Sequence, residues 1–566
     1  MTEIDTEVPI MFSVKKSAAV VLSAAMILGL ASCGGPAARS TPDNTYELSK
    51  NGEAIVNDID TSAAGKAKQR DESDNSRVFY EIFVGSFSDS DGDGTGDLKG
   101  IVNRLDYLND GDAFSGKSLG VEGIWLTPIF TSSSYHKYNV DNYYEIDPKF
   151  GTQKDLEDLI KACHKRGIKI ILDMVINHTG RDNEWFKNFN IAQKGGDIND
   201  PYYHFYSFYR EGEEYPVGRR FQKLLGIDVY YECNFDTSMP ELDFDQPAVR
   251  QAVLDVAKHY LDLGVDGFRF DAAKYIYLGE VDRNVEFWNW YIGELRKIKP
   301  DVYTVAEVWD ADSITDQYYD ALNCFDFSVS LVNGMIAETA KAGDANRYTA
   351  YVERYLNRIN GLNEDAMIVP FISNHDMDRA AGYLTPVSYN MQFAANLYIL
   401  GPGSPFIYYG EEIGLKGSRG SANTDANRRL AMLWGDDDKV SDPEGTTYPR
   451  DNQVDTSVKE QLARDDSLLT YYKKLLMIRA ANPEIAKGSY KALKLSGTKT
   501  GGFVSTLDGS SVCVLHNPSN GSATIDLSTV SGAEGFKTIA AYIGQGEATL
   551  EGSVLTLNGR TSVVLR

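Results

Sequence analysis

The sequence predicts an α/β chain folded as a (β/α)8 TIM barrel, with an inserted domain after strand 3 and a C-terminal all-β sandwich domain. Three observations carry that prediction. From Val78 onward, short apolar runs alternate with helical patterns, which implies a parallel sheet, and so many repeats favour a closed barrel over an open one. The interval between Ile176 and Gln246, rich in Tyr, Phe, Asn and Gly, is too long for a plain connection and is expected to be a functional loop or a small domain of its own. After Asn482-Pro483 the pattern becomes strand-sized alternating segments such as "GFVSTL" and "SVLTLNG", punctuated by Gly or Asn.

In chain order, Lys15 and Lys16 precede the apolar run "SAAVVLSAAMILGLAS". The run falls short of the ~20 residues that span a bilayer, so a secretory segment is expected instead of a membrane helix. It ends in "LASC", which resembles a bacterial lipoprotein signal in which Cys33 takes the lipid after cleavage; the other reading is an ordinary signal peptide. The acidic opening "MTEIDTEVPI" is unusual before a basic region and leaves Met11 as an alternative start. Residues 1–32 are thus expected to be a lipoprotein signal peptide and 33–76, polar and Gly/Ser-rich, a flexible tether. The protein would be extracytoplasmic, held to the cell membrane or surface only through Cys33.

The barrel is expected over 77–485, with strands in "VFYEIFV", "GIWLTPI", "IKIILDMVI", "GFRF", "VYTVAEV", "AMIVPFI" and "SPFIYYG". The inserted domain is expected over 179–245, the sandwich over 486–566. The chain of 566 residues, 42% hydrophobic, is long enough for a large core plus smaller domains. A net charge of −25 argues against a nucleic-acid partner. Five cysteines do not make a disulfide framework; Cys163, Cys233, Cys324 and Cys513 read as isolated core thiols. A monomer is expected.

The chemistry sits where strands end. "ILDMVINH" ends in Asp173, Asn177 and His178; "GFRFDAAK" carries Arg269 and Asp271; "YTVAEVWD" carries Glu307; "FISNHDMDR" carries His375 and Asp376. In a parallel barrel those ends share one face, where active sites form. Singly, each group has a structural reading, as a helix cap or a satisfied core histidine. Together they deliver carboxylates without zinc-type histidine spacing, which suits glycoside hydrolysis. Arg269, two residues from Asp271, would hold that carboxylate ionised, while the apolar neighbours of Glu307 (Ala306, Val308 and then Trp309) would keep its proton on.

The runs "FYEIFVGSFSDSDGDGTGDLKGI", "DMVINH", "GFRFDAAK", "AEVW", "SNHD" and "GSPFIYYGEEIG", in that order, resemble the α-amylase family, glycoside hydrolase family thirteen. The resemblance covers most of the chain. It implies Asp271 as nucleophile, Glu307 as general acid/base and Asp376 as stabiliser of the distorted sugar. It implies substrate contacts from Tyr138, His178, Arg269, Lys274, His375 and Arg379, and a separation of about 5–5.5 Å between the Asp271 and Glu307 carboxyls, as retaining enzymes have. The inserted domain would be the family's B domain. In "DSDGDGTGD", Asp89, Asp91, Asp93 and Asp97 with the Thr95 carbonyl offer hard oxygens for a structural Ca²⁺, as similar loops do in oligo-1,6-glucosidase-like members. The loop opens like an EF-hand but has Gly100 where a bidentate Glu is needed; the alternative is a solvated turn.

"MPELD" resembles members between oligo-1,6-glucosidases and neopullulanases, whereas Ala272, Lys274 and "AEVW" resemble α-1,4-acting amylases. Two departures stand out. Asn139 replaces the aspartate of the family's Y-D-V, and Tyr275 replaces the histidine that usually follows the lysine. The first weakens a grip on chain ends. The expected activity is hydrolysis of internal α-1,4 bonds of starch, glycogen or maltooligosaccharides through a covalent glycosyl-enzyme. The alternatives are an α-glucosidase or oligo-1,6-glucosidase, and an inactive sugar-binding lipoprotein.

Overall fold

A computed structural model of the chain describes residues 55–56, 59–62 and 74–566. The expected signal peptide and Cys33 lie outside the described residues. Seven parallel strands form the central sheet: β1 (Phe79–Ile82), β2 (Gly123–Leu126), β3 (Lys169–Met174), β4 (Gly267–Phe270), β5 (Tyr303–Ala306), β6 (Asn323–Cys324) and β7 (Phe406–Tyr408). Their order in space is β6-β5-β4-β3-β2-β1-β7. This curled sheet is the (β/α)8 barrel.

The expected strand in "AMIVPFI" is a correction. It occupies the gap between β6 and β7 but carries no regular ladder. Val369 O and Pro370 O accept from Asp326 N (3.1 Å) and Phe406 N (2.9 Å), so the segment bridges the opening. Pro370 has no N–H to donate, and Phe371 N turns to Ser330 Oγ at 3.1 Å instead. The two-residue β6, in contrast, was not foreseen.

Alternation along each strand sorts side chains between the barrel interior and the helix layer. Phe79, Trp125, Ile171, Tyr303, Val305, Phe371 and Phe406 fill the interior as one apolar cluster. Their neighbours Tyr80, Ile124, Leu172, Phe268 and Phe270 pack outward beneath the helices. Gly123 makes the inner cluster possible, because a Cβ there would lie 2.3 Å from the Phe79 ring. Outer helices show the complementary pattern. The helix Gln153–Lys165 begins with a capping box between Thr152 and Asp155 and buries Leu156, Leu159, Ile160 and Cys163 at helical spacing.

After β3, a helix (Glu184–Gly195) and a three-stranded antiparallel sheet (Phe208–Arg210, Val229–Glu232, Phe221–Lys223) make up the insertion. It returns to the barrel through a bridge between His178 and Glu241. At the carboxyl end of the chain, a six-stranded and a three-stranded antiparallel sheet enclose a second core of Leu493, Leu515, Leu555, Leu557 and Val563. The six-stranded sheet also corrects the tether. Ile55–Val56, expected to be loose, pair antiparallel with Ile543 and Gly544 as its edge strand. Cys163, Cys233, Cys324 and Cys513 are free and buried.

Candidate active site

The inward alternation that places apolar groups at the bottom of the barrel places charge at its carboxyl end. Arg269 on β4 stands in register with Asp173 on β3 and Val305 on β5. Its guanidinium is fully buried, with Nη1 2.8 Å from Asp173 Oδ1 and 2.8 Å from Asp271 Oδ1. Nη2 donates to Glu307 Oε2. Arg269 pairs with Asp271 as expected, and it is also a hub tying three carboxylates from three strands. Forked, planar and permanently charged, a guanidinium can do this where a lysine cannot.

Asp271, Glu307 and Asp376 line one cavity of ≈ 740 Å³ together with Tyr138, His178 and Lys274. Ala272, directly after Asp271, takes φ 48° and ψ 41°, a left-handed conformation rare for alanine and of the kind found where a reactive group must be held. Burial raises the Glu307 carboxyl to about 7, against the pull of Arg269 and with the help of Asp271 and Asp376. Asp376 is the opposite case: burial opposes its charge, but His375 and Arg429 outweigh burial and hold it well below the usual carboxylate range. One acid is therefore poised to keep its proton and another to lose it.

His375 is cationic through neutral pH. Burial alone would push it down, yet the carboxylates of Asp376 and Glu81 raise it to about 10. Its Nδ1 lies 2.6 Å from Glu81 Oε1 and its Nε2 3.1 Å from Asp376 Oδ2. Tyr138 stacks on the His375 ring (5.4 Å between centroids, 13°) and its hydroxyl donates to Asp173 Oδ2 at 2.8 Å. Nε2 of His178 is buried without a protein partner, and the ring lines the cavity. Lys274 donates to the Trp309 carbonyl (2.7 Å) and Asp310 (2.9 Å), fixing the cavity rim.

One expected contact falls elsewhere. Arg379 is not on the cavity: its side chain is buried behind it, donating to the carbonyls of Arg428 and Tyr409 and lying over the Tyr408 and Tyr409 rings. Arg429 takes the cavity position, with Nη2 2.7 Å from Asp376 Oδ1. Arg429 and His136 escaped the sequence reading. Arg429 sits in the charged run "NRRL", where nothing marks it out. His136 lies in the turn at Lys137, outside any strand, so no periodicity marks it; its ring lines the cavity with its pKa lowered to about 3 by burial and Arg429.

In the loop after β1, the carboxylate oxygens of Asp89, Asp91 and Asp97 lie within 4.8 Å of one another. Asp93, expected among the ligands, is outside that cluster; its Oδ1 accepts from Thr95 N at 2.7 Å, closing the turn.

The family model for the α-amylase catalytic domain matches residues 81–488. "Alpha-amylase 3" of Dictyoglomus thermophilum is 36% identical over 442 residues, 78% of this chain and 84% of that protein. A 4-α-glucanotransferase of Thermotoga neapolitana is 30% identical over 456 residues, 78% of this chain and 96% of that protein. Among solved structures, Eubacterium rectale Amy13B superimposes with a TM-score of 0.80 at 31% identity, covering 89% of this chain and 97% of that one. The α-amylase from H. orenii follows with a TM-score of 0.75 at 33% identity, covering 87% and 99%.

Proposed function

The chain belongs to the α-amylase family, whose members are glycoside hydrolases or transferases, and on that premise we propose that it hydrolyses internal α-1,4 bonds of starch, glycogen or maltooligosaccharides with retention. The observation that carries the reading is the single guanidinium shared by Asp271 and Glu307, with burial raising the Glu307 carboxyl to about 7. In the first step Asp271 forms a bond to the anomeric carbon as the bond to the glycosidic oxygen breaks, and Glu307 gives its proton to that oxygen. The leaving chain departs with a new hydroxyl, and a glycosyl ester on Asp271 remains. Water then loses a proton to Glu307 and bonds to the anomeric carbon, restoring the Asp271 carboxylate. Asp376, held anionic by His375 and Arg429, would bind the ring hydroxyls, and His178 Nε2 is free to meet them.

Asn139 supports internal cutting. Its amide donates to Ser238 Oγ at 2.6 Å, so it presents no carboxylate to a chain end. A transfer reading, with a sugar hydroxyl in place of water, is favoured by the aromatic pair Phe235 and Tyr275 (4.6 Å) on the cavity wall, where a second sugar would stack. Timed product analysis on soluble starch, pullulan and isomaltose tests all readings. Mixed maltooligosaccharides from starch are expected. Glucose alone from the first minutes would reject internal cutting, and products longer than a short maltooligosaccharide substrate would establish transfer.

We also propose a structural Ca²⁺ held by Asp89, Asp91 and Asp97, a set of hard oxygens on a loop whose backbone amides brace the carboxylates. Export is supported by Lys15, Lys16 and the apolar run that follows them, and lipidation at Cys33 by the "LASC" run. Loss of membrane association in Cys33→Ala is the test.

A further inference from the structure

Glu81 is an acid that the reaction above does not use. It stands on β1 two residues from Phe79, so alternation turns both side chains to the barrel interior. Its side chain is 2% exposed and does not line the reaction cavity. A carboxyl buried this deeply is costly unless it is paired. Its partner is His375: Glu81 Oε1 accepts from the His375 backbone N–H at 3.3 Å and lies 2.6 Å from ring Nδ1.

The hydrogen bonds around the ring fix its state by geometry. Nε2 faces two oxygens, the Tyr138 hydroxyl at 2.7 Å and Asp376 Oδ2 at 3.1 Å. The Tyr138 hydroxyl donates to Asp173 Oδ2, so toward His375 it can only accept. Nδ1 faces the Glu81 oxygen that already accepts from the backbone. Both ring nitrogens therefore meet acceptors, the surroundings of an imidazolium. Trp125 packs edge-on against the ring at 5.6 Å from β2, and Arg429 Nε donates to the His375 carbonyl at 3.1 Å. Asp173, Glu307 and His136 are close enough to be shifted by the ring's charge. Glu81 and Asp376 are the two acids that touch it, and burial works against them.

We infer that Glu81 is a positioning residue for the proposed hydrolysis: it accepts the Nδ1 proton in a hydrogen bond, holds His375 as a cation, and so keeps Nε2–H turned to Asp376 and Tyr138 on the cavity wall. The inference rests on the reading of the cavity given above and adds a residue that never meets the substrate.

Glu81→Gln is the test, since the amide keeps the shape of the side chain without its charge. ¹⁵N-histidine spectra at about pH 8 should show an imidazolium signal in wild type that is missing from His375→Gln and from Glu81→Gln. In Glu81→Gln, kcat/KM on maltohexaose should fall about tenfold. Its acidic limb should also move to higher pH, because Asp376 must be ionised and loses a neighbouring cation. Glu81→Asp keeps the charge and should regain the signal and part of the rate, which separates charge from misfolding. An imidazolium signal that survives in Glu81→Gln overturns the inference, as does a signal lost with rate and pH profile unchanged. If wild type fails to cleave maltohexaose, the reading of the reaction falls, and the spectra alone decide whether Glu81 holds the charge on His375.

Discussion

Lys137 Nζ lies 2.6 Å from Asp147 Oδ2 in an ion pair of which both members are buried. Lys137 adopts φ 64°, a conformation unfavourable for any side-chain-bearing residue, and also donates to Ser132 O at 3.2 Å. The pair closes the hairpin of Phe130–Ser132 and Val140–Ile146 whose tip carries His136 and Tyr138 into the cavity. Sequence places the lysine between two cavity residues; the fold turns it the other way, as a clamp. Lys137→Met should therefore destabilise the fold by about 3–5 kcal/mol, because it strands a buried carboxylate. Urea unfolding measures it. A loss below about 1 kcal/mol would mean that Asp147 finds another partner or water.

The Glu307 carboxyl, raised by burial to about 7, must hold its proton in the free enzyme to act as the acid. kcat/KM is therefore expected to fall as pH rises through about 7. The same shift has a sign for stability. A carboxyl whose folded pKa exceeds its unfolded value binds extra protons when folded, so this group's contribution declines from about pH 4.5 to about pH 7 and is constant above. A rate profile flat to pH 9 would show that the group is not tuned this way.

Glu307→Gln removes the proton donor but keeps the shape. Hydrolysis of an unactivated α-1,4 bond should drop by about 10²–10⁴-fold. A substrate whose leaving group needs no protonation, such as a glucosyl fluoride, should recover most of the first step. Equal losses on both substrates would assign Glu307 to binding.

Chelation is expected to lower the melting temperature of wild type and to leave Asp89→Ala unchanged, since that variant lacks the proposed ion already. At a hundredfold excess of ion over its dissociation constant, bound Ca²⁺ would contribute about 2.7 kcal/mol. Equal melting with and without chelator would return the loop to a solvated turn.

Much of the site was legible because barrel geometry turns a local pattern into a global position. Asp173, Arg269 and Glu307 each end an apolar run, and parallel strands necessarily bring such ends to one rim. Arg379 and Arg429 mark where that logic fails. Both follow loops, both lie in charged surroundings, and no periodicity says which one turns toward Asp376. The weak strand segment around Pro370 and the edge strand Ile55–Val56 were misjudged for a related reason. Their pairing depends on partners far along the chain, in Phe406 and Ile543.

By itself, the order of residues determined the alternation of strand and helix, the inward-facing acids and the basic group among them, since side-chain direction along a strand follows from covalent geometry. Only the tertiary structure decided how charge is shared: one guanidinium serving three carboxylates, a histidine raised to about 10 by Glu81 and Asp376, and a Glu307 carboxyl raised by burial to about 7. Those outcomes depend on distance and on exclusion of water, and neither exists until the barrel closes.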